Sequence, residues 1–408
     1  MNYKSDFNPY LCKSILSKEL IMEQKRKFPI GIQSFEKLRT QGYLYVDKTA
    51  MIYQIASTSI PYFLSRPRRF GKSLLLSTLE AYFEGRKDLF EGLALFELET
   101  QWEKFPILHL DLNAEKFESI KGLDAILSRY LDKWEDLYGK NEREETLSGR
   151  FEGVIWRAYE QTGKRVVVLV DEYDKPMLSA ISDEKLSGEY RKTLKAFYGV
   201  LKSSDRYLRF VFLTGVTKFA QVSVFSDLNQ LVDISLKHDY ASLCGITKKE
   251  LLQDFEPELK ILAKKQELTV DEAFDKMCRQ YDGYHFAPEA EGMFNPFSVL
   301  NALNFSDFDN YWFQTGTPTY LVDLLKESDY DLRLLLDGIE LQPSAFMEYR
   351  VDIRNPIPMI YQSGYLTIKA YDKKFNLYTL GFPNDEVRYG FLEFLMPYYT
   401  NVTKLYLP

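Results

Sequence analysis

The sequence predicts an α/β protein in which helices cover both faces of a parallel sheet, followed by a mostly helical segment and a small helix–hairpin–helix unit. Two observations carry this prediction. Short apolar runs alternate with amphipathic stretches up to about residue 245, and helix-start patterns replace the apolar runs after it. Strands separated by helices favour a parallel sheet, because parallel neighbours need a long crossover connection.

The predicted strands are four apolar runs and a weaker fifth. They lie at residues 60–65, 107–113, 166–170, 208–214 and, more weakly, 231–236. Amphipathic stretches between them predict helices at residues 73–83, 122–136, 149–161 and 187–201.

After residue 245 the signals are those of helix starts. Thr247 with Glu250, and Thr269 with Glu272, match capping boxes, and Thr317-Pro318 is typical of an N-cap followed by a first-turn proline. The end of the chain predicts a helix at 358–363, strands at 365–371 and 376–382 joined by a turn at 372–374, and a helix at 385–399. This order is similar to a winged helix.

These patterns divide the chain into four predicted segments. Residues 1–27 form an N-terminal extension with a helix near 13–25, and residues 28–245 form the α/β core. Residues 246–345 form a helical lid, and residues 346–408 form a winged-helix-like unit.

Composition excludes several classes of protein. The 52 basic and 59 acidic side chains give a net charge of −7, so the whole chain exerts no general attraction on nucleic acid or an anionic membrane. The 29 Tyr, 29 Phe and 4 Trp residues can fill a large core. No apolar run is long enough to span a membrane, and no signal peptide is evident, so we expect a cytoplasmic protein.

Cysteine and histidine are too scattered for a zinc site or a disulfide framework. There are three of each: Cys12, Cys244, Cys278, His109, His238 and His285.

The sharpest local motif is RPRRFGKS at residues 66–73, which follows a predicted strand and precedes a predicted helix. Free N–H groups at a helix start bind phosphate, and the helix dipole adds to this attraction. Lys72 would reach the β- and γ-phosphates, and Ser73 would give its hydroxyl to Mg²⁺. The candidate cofactor-binding residues of this loop are Arg66, Pro67, Arg68, Arg69, Phe70, Gly71, Lys72, Ser73 and Leu74.

The loop departs from the usual pattern at its first position. Arg66 stands where glycine is expected, and a side chain tolerates positive φ less well. We expect Arg66, Arg68 and Arg69 to compensate by adding positive charge beside the phosphates. The alternative interpretation is a basic turn before a surface helix.

Two carboxylates follow the apolar run 166–170. Asp171 is placed to hold Mg²⁺ together with Ser73, and Glu172 to orient and activate the attacking water, because ligands bind at the carboxyl ends of parallel strands. The alternative is a strand that ends in an ordinary polar turn. The loop and the acids together favour nucleotide binding over chance.

Other polar residues leave their roles open. Thr214 and Thr217, at the end of the strand 208–214, are candidates to contact the γ-phosphate or the water, or else to cap a turn. His285 is a lid residue that could report the γ-phosphate or serve structure. Lys218 and Arg388 are candidates for phosphate or finger contacts, with a surface role as the default interpretation. Asp111, at the end of another predicted strand, is interpreted as structural.

The chain also resembles a known family over residues 28–395. The blocks PIGIQSF, RPRRFGKSLLLSTLEAYFEG, VVVLVDEYDKP, LTGVTKFAQVSVFSDLNQL, YDGYHF, YQSGYLTI and FPNDEVRYGFLEF are similar, in order and spacing, to the bacterial AAA-ATPase-like domain proteins. In that family an arginine at the position of Arg66 is usual.

The resemblance implies a P-loop ATPase core of the additional-strand, catalytic-glutamate type, with ATP and Mg²⁺ as cofactors. It also implies a helical lid and a winged-helix-like end, in a group that more often works as switches than as motors. Family members commonly continue into a nuclease domain, so we expect a shortened chain or a member without that domain. Two triplets fit the nuclease motif, Asp372–Lys374 and Glu258–Lys260, but a turn and a helix are the favoured interpretations.

The sequence leaves two functions open. The first is Mg²⁺-dependent ATP hydrolysis by Lys72, Glu172 and Thr214. The second is an ATP-gated switch or scaffold with negligible turnover, serving a partner or a fused nuclease. The C-terminal aromatics Tyr398, Tyr399 and Tyr406 predict a surface for self-association or a protein partner, whereas a weakly basic wing gives little support to nucleic-acid binding.

Overall fold

A computed structural model of the chain describes residues 26–347 and 355–400, except 115, 116, 118, 220–230, 316–320, 322, 323, 326, 327 and 329. Its larger sheet is parallel, with the spatial order β2-β3-β4-β1-β5. The strands are β1 (Tyr62–Ser65), β2 (Ile107–Asp111), β3 (Val166–Asp171), β4 (Leu208–Gly215) and β5 (Val232–Asp233). Every residue of β3 is buried, so both faces of the sheet are covered there.

Eight helices accompany this sheet among the described residues. They are α1 (Phe35–Thr40), α2 (Thr49–Ala56), α3 (Lys72–Phe83), α4 (Ala94–Leu98), α5 (Ile120–Tyr138), α6 (Leu147–Thr162), α7 (Lys175–Ser179) and α8 (Glu184–Ser203). The strands and long helices agree with the prediction to within a few residues. The short helices α1, α2, α4 and α7 are not predicted, because five to eight residues carry little periodicity.

The sheet order brings the polar strand ends together. Strand β4 lies between β1 and β3, with Leu64 opposite Thr214 and Val170 opposite Leu213. Asp111 at the end of β2 lies opposite Asp171 at the end of β3. This inserted strand confirms the additional-strand type of core. Strand β2 is shorter than predicted because Oδ1 of Asp111 accepts a hydrogen bond from the backbone N–H of Asn113 (2.8 Å), which turns the chain.

The lid is helical, as predicted, and its apolar core also includes Phe28. Both predicted capping boxes are present, at Thr247 and at Thr269. The Thr317-Pro318 prediction and the helix predicted near 13–25 lie outside the described residues. The lid helices are α9 (Lys248–Asp254), α10 (Glu256–Lys265), α11 (Val270–Tyr281), α12 (Pro296–Phe305) and α13 (Tyr311–Gln314).

The C-terminal unit contains the predicted helix, hairpin and helix. They are α14 (Ile357–Gln362), β7 (Thr367–Asp372), β8 (Leu377–Gly381) and α15 (Asp385–Thr400). A third strand, β6 (Ile339–Leu341), pairs antiparallel with β8. Strand β6 lies in a segment predicted to be mostly helical. Its three residues are too few to show the alternating pattern of a strand, and they are held by pairing with the distant β8. The winged-helix assignment and the segment boundaries stay predictions.

The nuclease-like triplets have the local structures favoured from the sequence. Oδ1 of Asp372 accepts hydrogen bonds from the backbone N–H groups of Lys374 (2.8 Å) and Phe375 (3.1 Å), which closes the hairpin turn. Glu258 and Lys260 lie in α10.

Many C-terminal aromatics serve internal packing. The ring of Tyr365 lies 5.0 Å from that of Trp312 and 5.2 Å from that of Phe391. Phe375 and Tyr389 are exposed. The side chains of Tyr398, Tyr399 and Tyr406 lie outside the described residues, so the predicted aromatic interface stays a prediction. No helix in the described part of the chain is long and apolar enough to cross a membrane.

A buried carboxyl group joins the C-terminal unit to the lid. Glu386, in the first turn of α15, accepts hydrogen bonds from Oγ of Ser298 (2.8 Å) and from the backbone N–H of Trp312 (2.7 Å). Burial, only partly offset by these two hydrogen bonds, raises the pKa of Glu386 to about 8. The folded protein therefore holds a proton that the unfolded chain releases at a lower pH.

We expect this group to make stability depend on pH. Because its folded pKa is raised, its contribution is greatest below pH 4.5 and is lost as pH rises toward 8, by at most about 1.4 kcal/mol per pH unit. Glu386→Gln keeps the shape and removes the titration. Urea unfolding at pH 6 and pH 8 should show a smaller stability loss in the variant than in the wild type. Equal losses in the two proteins would contradict the assignment.

Candidate nucleotide-binding site

The loop between β1 and α3 has the backbone of an anion-binding turn. Arg69 and Gly71 have positive φ angles of 70° and 91°, and Gly71 immediately precedes α3. Glycine suits position 71 because the left-handed conformation strains a residue with a Cβ atom. No described side chain caps this end of α3, so the N–H groups of its first turn are left for a ligand.

Lys72 is buried, and its ammonium is enclosed by the loop. Nζ donates hydrogen bonds to the backbone carbonyls of Arg66 (3.1 Å) and Pro67 (3.4 Å). It also lies 3.4 Å from Oε1 of Glu172. The carboxylate after β3 and the lysine of the loop are thus in direct contact.

The two acids at the end of β3, Asp171 and Glu172, have different environments. Asp171 is buried, and its Oδ1 accepts hydrogen bonds from Oγ1 of Thr214 (2.6 Å) and from the backbone N–H of Glu172 (3.1 Å). Glu172 keeps 18% of its side chain exposed and has a φ of 53°, which is unusual for a residue with a side chain. Strained backbone of this kind is concentrated at functional sites.

A cavity of about 240 Å³ lies beside this cluster. Residues predicted from the sequence line much of it: Arg68, Arg69, Gly71, Lys72, Ser73, Leu74 and Glu172. A second, mostly apolar cavity of about 110 Å³ adjoins it and shares Pro29, Gly71, Leu74, Pro296 and Leu300 with it. The site therefore lies between the core and the lid.

Several lining residues were not predicted. They are Pro29, Ile30, Gly31, Ile32, Gln33, Asn113, Lys175, Pro296, Phe297 and Leu300. The PIGIQSF block, residues 29–35, could have indicated the first five of them. It precedes the first helix and has no evident role in the core of a sheet. Nothing local marks Phe297 in α12, which comes to the site only through the fold.

Arg66 differs from the expectation. Its guanidinium donates hydrogen bonds to the backbone carbonyls of Ser65 (2.9 Å), Ser235 (2.8 Å) and Tyr240 (3.1 Å), and it lies 4.1 Å from the ring centre of Phe286. Burial lowers the pKa of Arg66 to about 10. Its side chain is not part of the cavity lining, so this geometry does not support the expected compensation by its charge. Arg66 instead ties the loop to the segment after β5.

Pro67 and Phe70 also do not line the 240 Å³ cavity, although Phe70 lines the adjoining apolar one. The ring of Phe70 lies 4.8 Å from that of Tyr284 and 5.1 Å from that of Phe286. Pro67 packs closely against Gly364 of the C-terminal unit. The outer side of the phosphate loop is therefore held by residues that follow the core.

Two further contacts join the loop to the lid. The indole Nε1 of Trp312 donates a hydrogen bond to the backbone carbonyl of Arg68 (3.3 Å). The guanidinium of Arg69 lies 5.1 Å from the ring centre of Phe297. The loop is therefore in direct contact with side chains of the lid.

Gly364 gives a direct test of this packing. Its φ is 92°, and a Cβ atom added to it would lie 2.6 Å from Cβ of Pro67. Gly163→Ala is the matched control, since Gly163 has a φ of 65° and open space around it. We expect Gly364→Ala to cost about 1–3 kcal/mol more unfolding free energy than the control, measured by urea denaturation, because overpacking adds to the backbone strain. Equal losses would show that the loop moves aside freely.

The remaining candidates, His285, Lys218 and Arg388, do not line the 240 Å³ cavity. Nδ1 of His285 hydrogen-bonds the carbonyl of Ala290 (2.8 Å), which favours its structural interpretation. Nζ of Lys218 lies 3.0 Å from Oδ2 of Asp233. Arg388 lines a separate open cleft between the lid and the C-terminal unit.

A phosphate-type loop after β1, acids after β3 and a strand inserted between those two strands define a P-loop nucleotide-binding core of the additional-strand class. A comparison with known protein families agrees with that class. The family model described as "Predicted AAA-ATPase" matches residues 29–225. The chain belongs to this AAA-ATPase-like family.

One relative extends the likeness beyond the core. A protein of Azotobacter chroococcum mcd 1, named "Uncharacterized protein in vnfD 5'region", is 37% identical over 375 residues, which is 91% of this chain and 70% of that protein. Among solved structures, the ORC2 protein of Aeropyrum pernix with ADPNP and ADP has a TM-score of 0.33 at 10% identity, over 85% of this chain and 93% of that one. A likeness this weak supports no inference about function.

Proposed function

We propose that the protein binds ATP with Mg²⁺ in the cavity beside Lys72 and hydrolyses it slowly. The bound nucleotide then sets the arrangement of the lid and of the C-terminal unit. The observation that carries this proposal is the contact between Lys72 and Glu172 inside a loop built to hold phosphate.

The ion pair identifies where the triphosphate would lie. The ammonium of Lys72 is the group that would contact the β- and γ-phosphates, and it is held by Glu172 and two backbone carbonyls. A triphosphate carries more negative charge than one carboxylate, so it is the stronger partner. Its arrival would release Glu172, which is then free to hydrogen-bond a water molecule beside the γ-phosphate.

The hydrolysis step is a simple displacement. The oxygen of water bonds to the γ-phosphorus, the bond from that phosphorus to the bridging oxygen breaks, and ADP leaves with that electron pair. The proton of the water passes to Glu172 and then to the phosphate. Glu172 and Lys72 would contribute position and charge, which is most of what phosphoryl transfer requires.

The donor atoms suit Mg²⁺. Oγ of Ser73 and the carboxylate of Asp171 would hold the ion, and oxygen ligands of this kind are those that Mg²⁺ prefers. Among the described residues there is no group of three or more side chains that could hold a metal by themselves, so nucleotide oxygens would complete the shell. When bound, the ion would neutralise part of the negative charge of the phosphates.

The nucleoside would extend toward the lid. The apolar cavity next to the loop is lined by Pro29, Leu74 and Leu300 and is suited to a flat base. Preference for adenine rests on family membership. Lid closure would then follow from contacts of one ligand with both the core and α12.

The second function, an ATP-gated switch with negligible turnover, is favoured by one observation. The loop is already fixed by Arg66, Phe70 and Gly364, so nucleotide binding can act on the lid and the C-terminal unit without hydrolysis. The partner of such a switch would be a protein or a fused domain. Nucleic acid is a weaker candidate.

Thermal-shift titration with ATP and Mg²⁺, combined with phosphate-release assays, tests both functions. We expect a concentration-dependent rise in Tm and slow release of phosphate. A rise in Tm without phosphate release would favour the switch. No rise in Tm and no release would refute both.

A further inference from the structure

The end of β4 and the residues that follow it are held on two sides by buried side chains. This segment, residues 214–219, is called here the β4 loop, and Thr214, Thr217 and Phe219 within it are buried. It begins at the hydrogen bond between Oγ1 of Thr214 and Oδ1 of Asp171 (2.6 Å). Its position therefore affects Asp171, which directly precedes the cavity-lining residue Glu172.

On the core side, the loop is fixed by Asp174, which is fully buried. Its Oδ2 accepts hydrogen bonds from the backbone N–H of Val216 (3.0 Å), the backbone N–H of Thr217 (2.6 Å) and Oγ1 of Thr217 (2.6 Å). A Cβ atom at Gly215 would collide with Oδ1 of Asp174. Only glycine at this position therefore lets the β4 loop lie so close to Asp174.

Tyr173 adds two hydrogen bonds on the same side. Its hydroxyl donates to the backbone carbonyl of Thr217 (2.9 Å) and accepts from the backbone N–H of Phe219 (3.1 Å). Tyr173 directly follows Glu172 in the chain. The β4 loop and the acids after β3 therefore form one hydrogen-bonded unit.

On the other side, the loop is fixed by Gln362 of α14, which is buried. Its Oε1 accepts a hydrogen bond from the backbone N–H of Lys218 (2.8 Å). Its Nε2 donates to the backbone carbonyls of Phe346 (3.2 Å) and Met347 (2.8 Å). Three bonds fix the orientation of the amide, and the one to Lys218 connects the C-terminal unit to the β4 loop.

We infer that Gln362 is a positioning residue for ATP hydrolysis, through which the C-terminal unit holds the β4 loop, Thr214 and Asp171 in the geometry that turnover requires. This inference rests on the proposed function. A misplacement of about 1 Å in such a site costs roughly 10²-fold in rate, whereas phosphate binding by the loop after β1 does not need the amide. Hydrolysis would then depend on the C-terminal unit, and ATP affinity would not.

Gln362→Met tests the inference, because methionine keeps the volume and removes all three hydrogen bonds. Gln266→Met is the matched control, since the amide of Gln266 bonds Ser306 (3.2 Å) and Asp307 (3.1 Å) within the lid. We expect kcat for phosphate release by Gln362→Met to fall about tenfold or more, with the Kd for ATP within about twofold of wild type. The control should match wild type in both quantities.

A second variant covers the case in which Gln362→Met does not fold. Tyr173→Phe removes two hydrogen bonds of the β4 loop at constant shape, and it should also lower kcat without changing Kd.

The outcomes separate the two proposals. Unchanged kcat in folded Gln362→Met, or in Tyr173→Phe if the first variant is unfolded, overturns the inference and leaves the proposed function intact. A parallel loss of kcat and ATP affinity also overturns it, since that indicates general damage to the site. A wild-type protein that binds ATP without turnover overturns the inference together with the hydrolytic function.

Discussion

Glu172→Gln is expected to bind ATP as well as the wild type, or more tightly, and to release phosphate about 10²–10⁴-fold more slowly. The amide keeps the size of the side chain but cannot accept the proton of the attacking water. It also cannot form the ion pair in which Oε1 of Glu172 lies 3.4 Å from Nζ of Lys72, so the triphosphate meets less competition for the ammonium. Isothermal titration and a phosphate-release assay at saturating ATP would measure the two effects separately.

The control for this variant is Glu160→Gln on α6, which removes one exposed carboxylate of the same type. It should leave both affinity and rate unchanged. Turnover by Glu172→Gln equal to that of wild type would remove Glu172 from the proposed role, whatever the affinity.

Lys72→Ala is expected to lose most of the ATP affinity and the rise in Tm that ATP produces. Lys72 is buried in the loop, where it hydrogen-bonds two backbone carbonyls, and no other described ammonium occupies that position. A charge-assisted hydrogen bond contributes about 1.5–3 kcal/mol, so affinity should fall roughly 10- to 150-fold. Thermal-shift titration with ATP and Mg²⁺ would show the loss directly.

Lys260→Ala is a suitable control, because Lys260 lies on the exposed face of α10 and pairs with Glu256 at 2.7 Å. It removes one positive charge without touching the cavity, so its titration should match wild type. Retained ATP affinity in Lys72→Ala would show that the nucleotide binds elsewhere, and it would contradict the proposed site itself. Loss of affinity in both variants would point to general electrostatics.

Glu172→Gln and Lys72→Ala both change residues that can be identified from the sequence without knowledge of the fold. Lys72 and Glu172 stand in short motifs whose flanking strand and helix are visible in local periodicity, and the structure brings them into contact. The helix starts at Thr247 and Thr269 are of the same kind, because a capping box is complete within four residues. Local hydrogen bonds and alternating burial decide such elements, so local sequence is enough to predict them.

Short elements show the limit of this reasoning. Strand β6 lies in a segment predicted to be helical, and it exists because Ile339–Leu341 finds a partner in β8. Strand β5 covers two residues where six were predicted. In each case pairing with a distant strand, rather than intrinsic preference, fixes where the strand begins and ends.

The sequence by itself determined the class of core, the phosphate loop, the acids after β3 and the helical character of the lid. Only the tertiary structure decided that Arg66 holds the segment after β5, that Phe297 lines the cavity, and that Gln362 holds the β4 loop. These contacts join residues far apart in the chain, 169 positions for Arg66 with Ser235 and 144 for Lys218 with Gln362. A side chain that satisfies a distant backbone group leaves no periodic trace in its own segment, since its partner is chosen by the packing of the whole molecule.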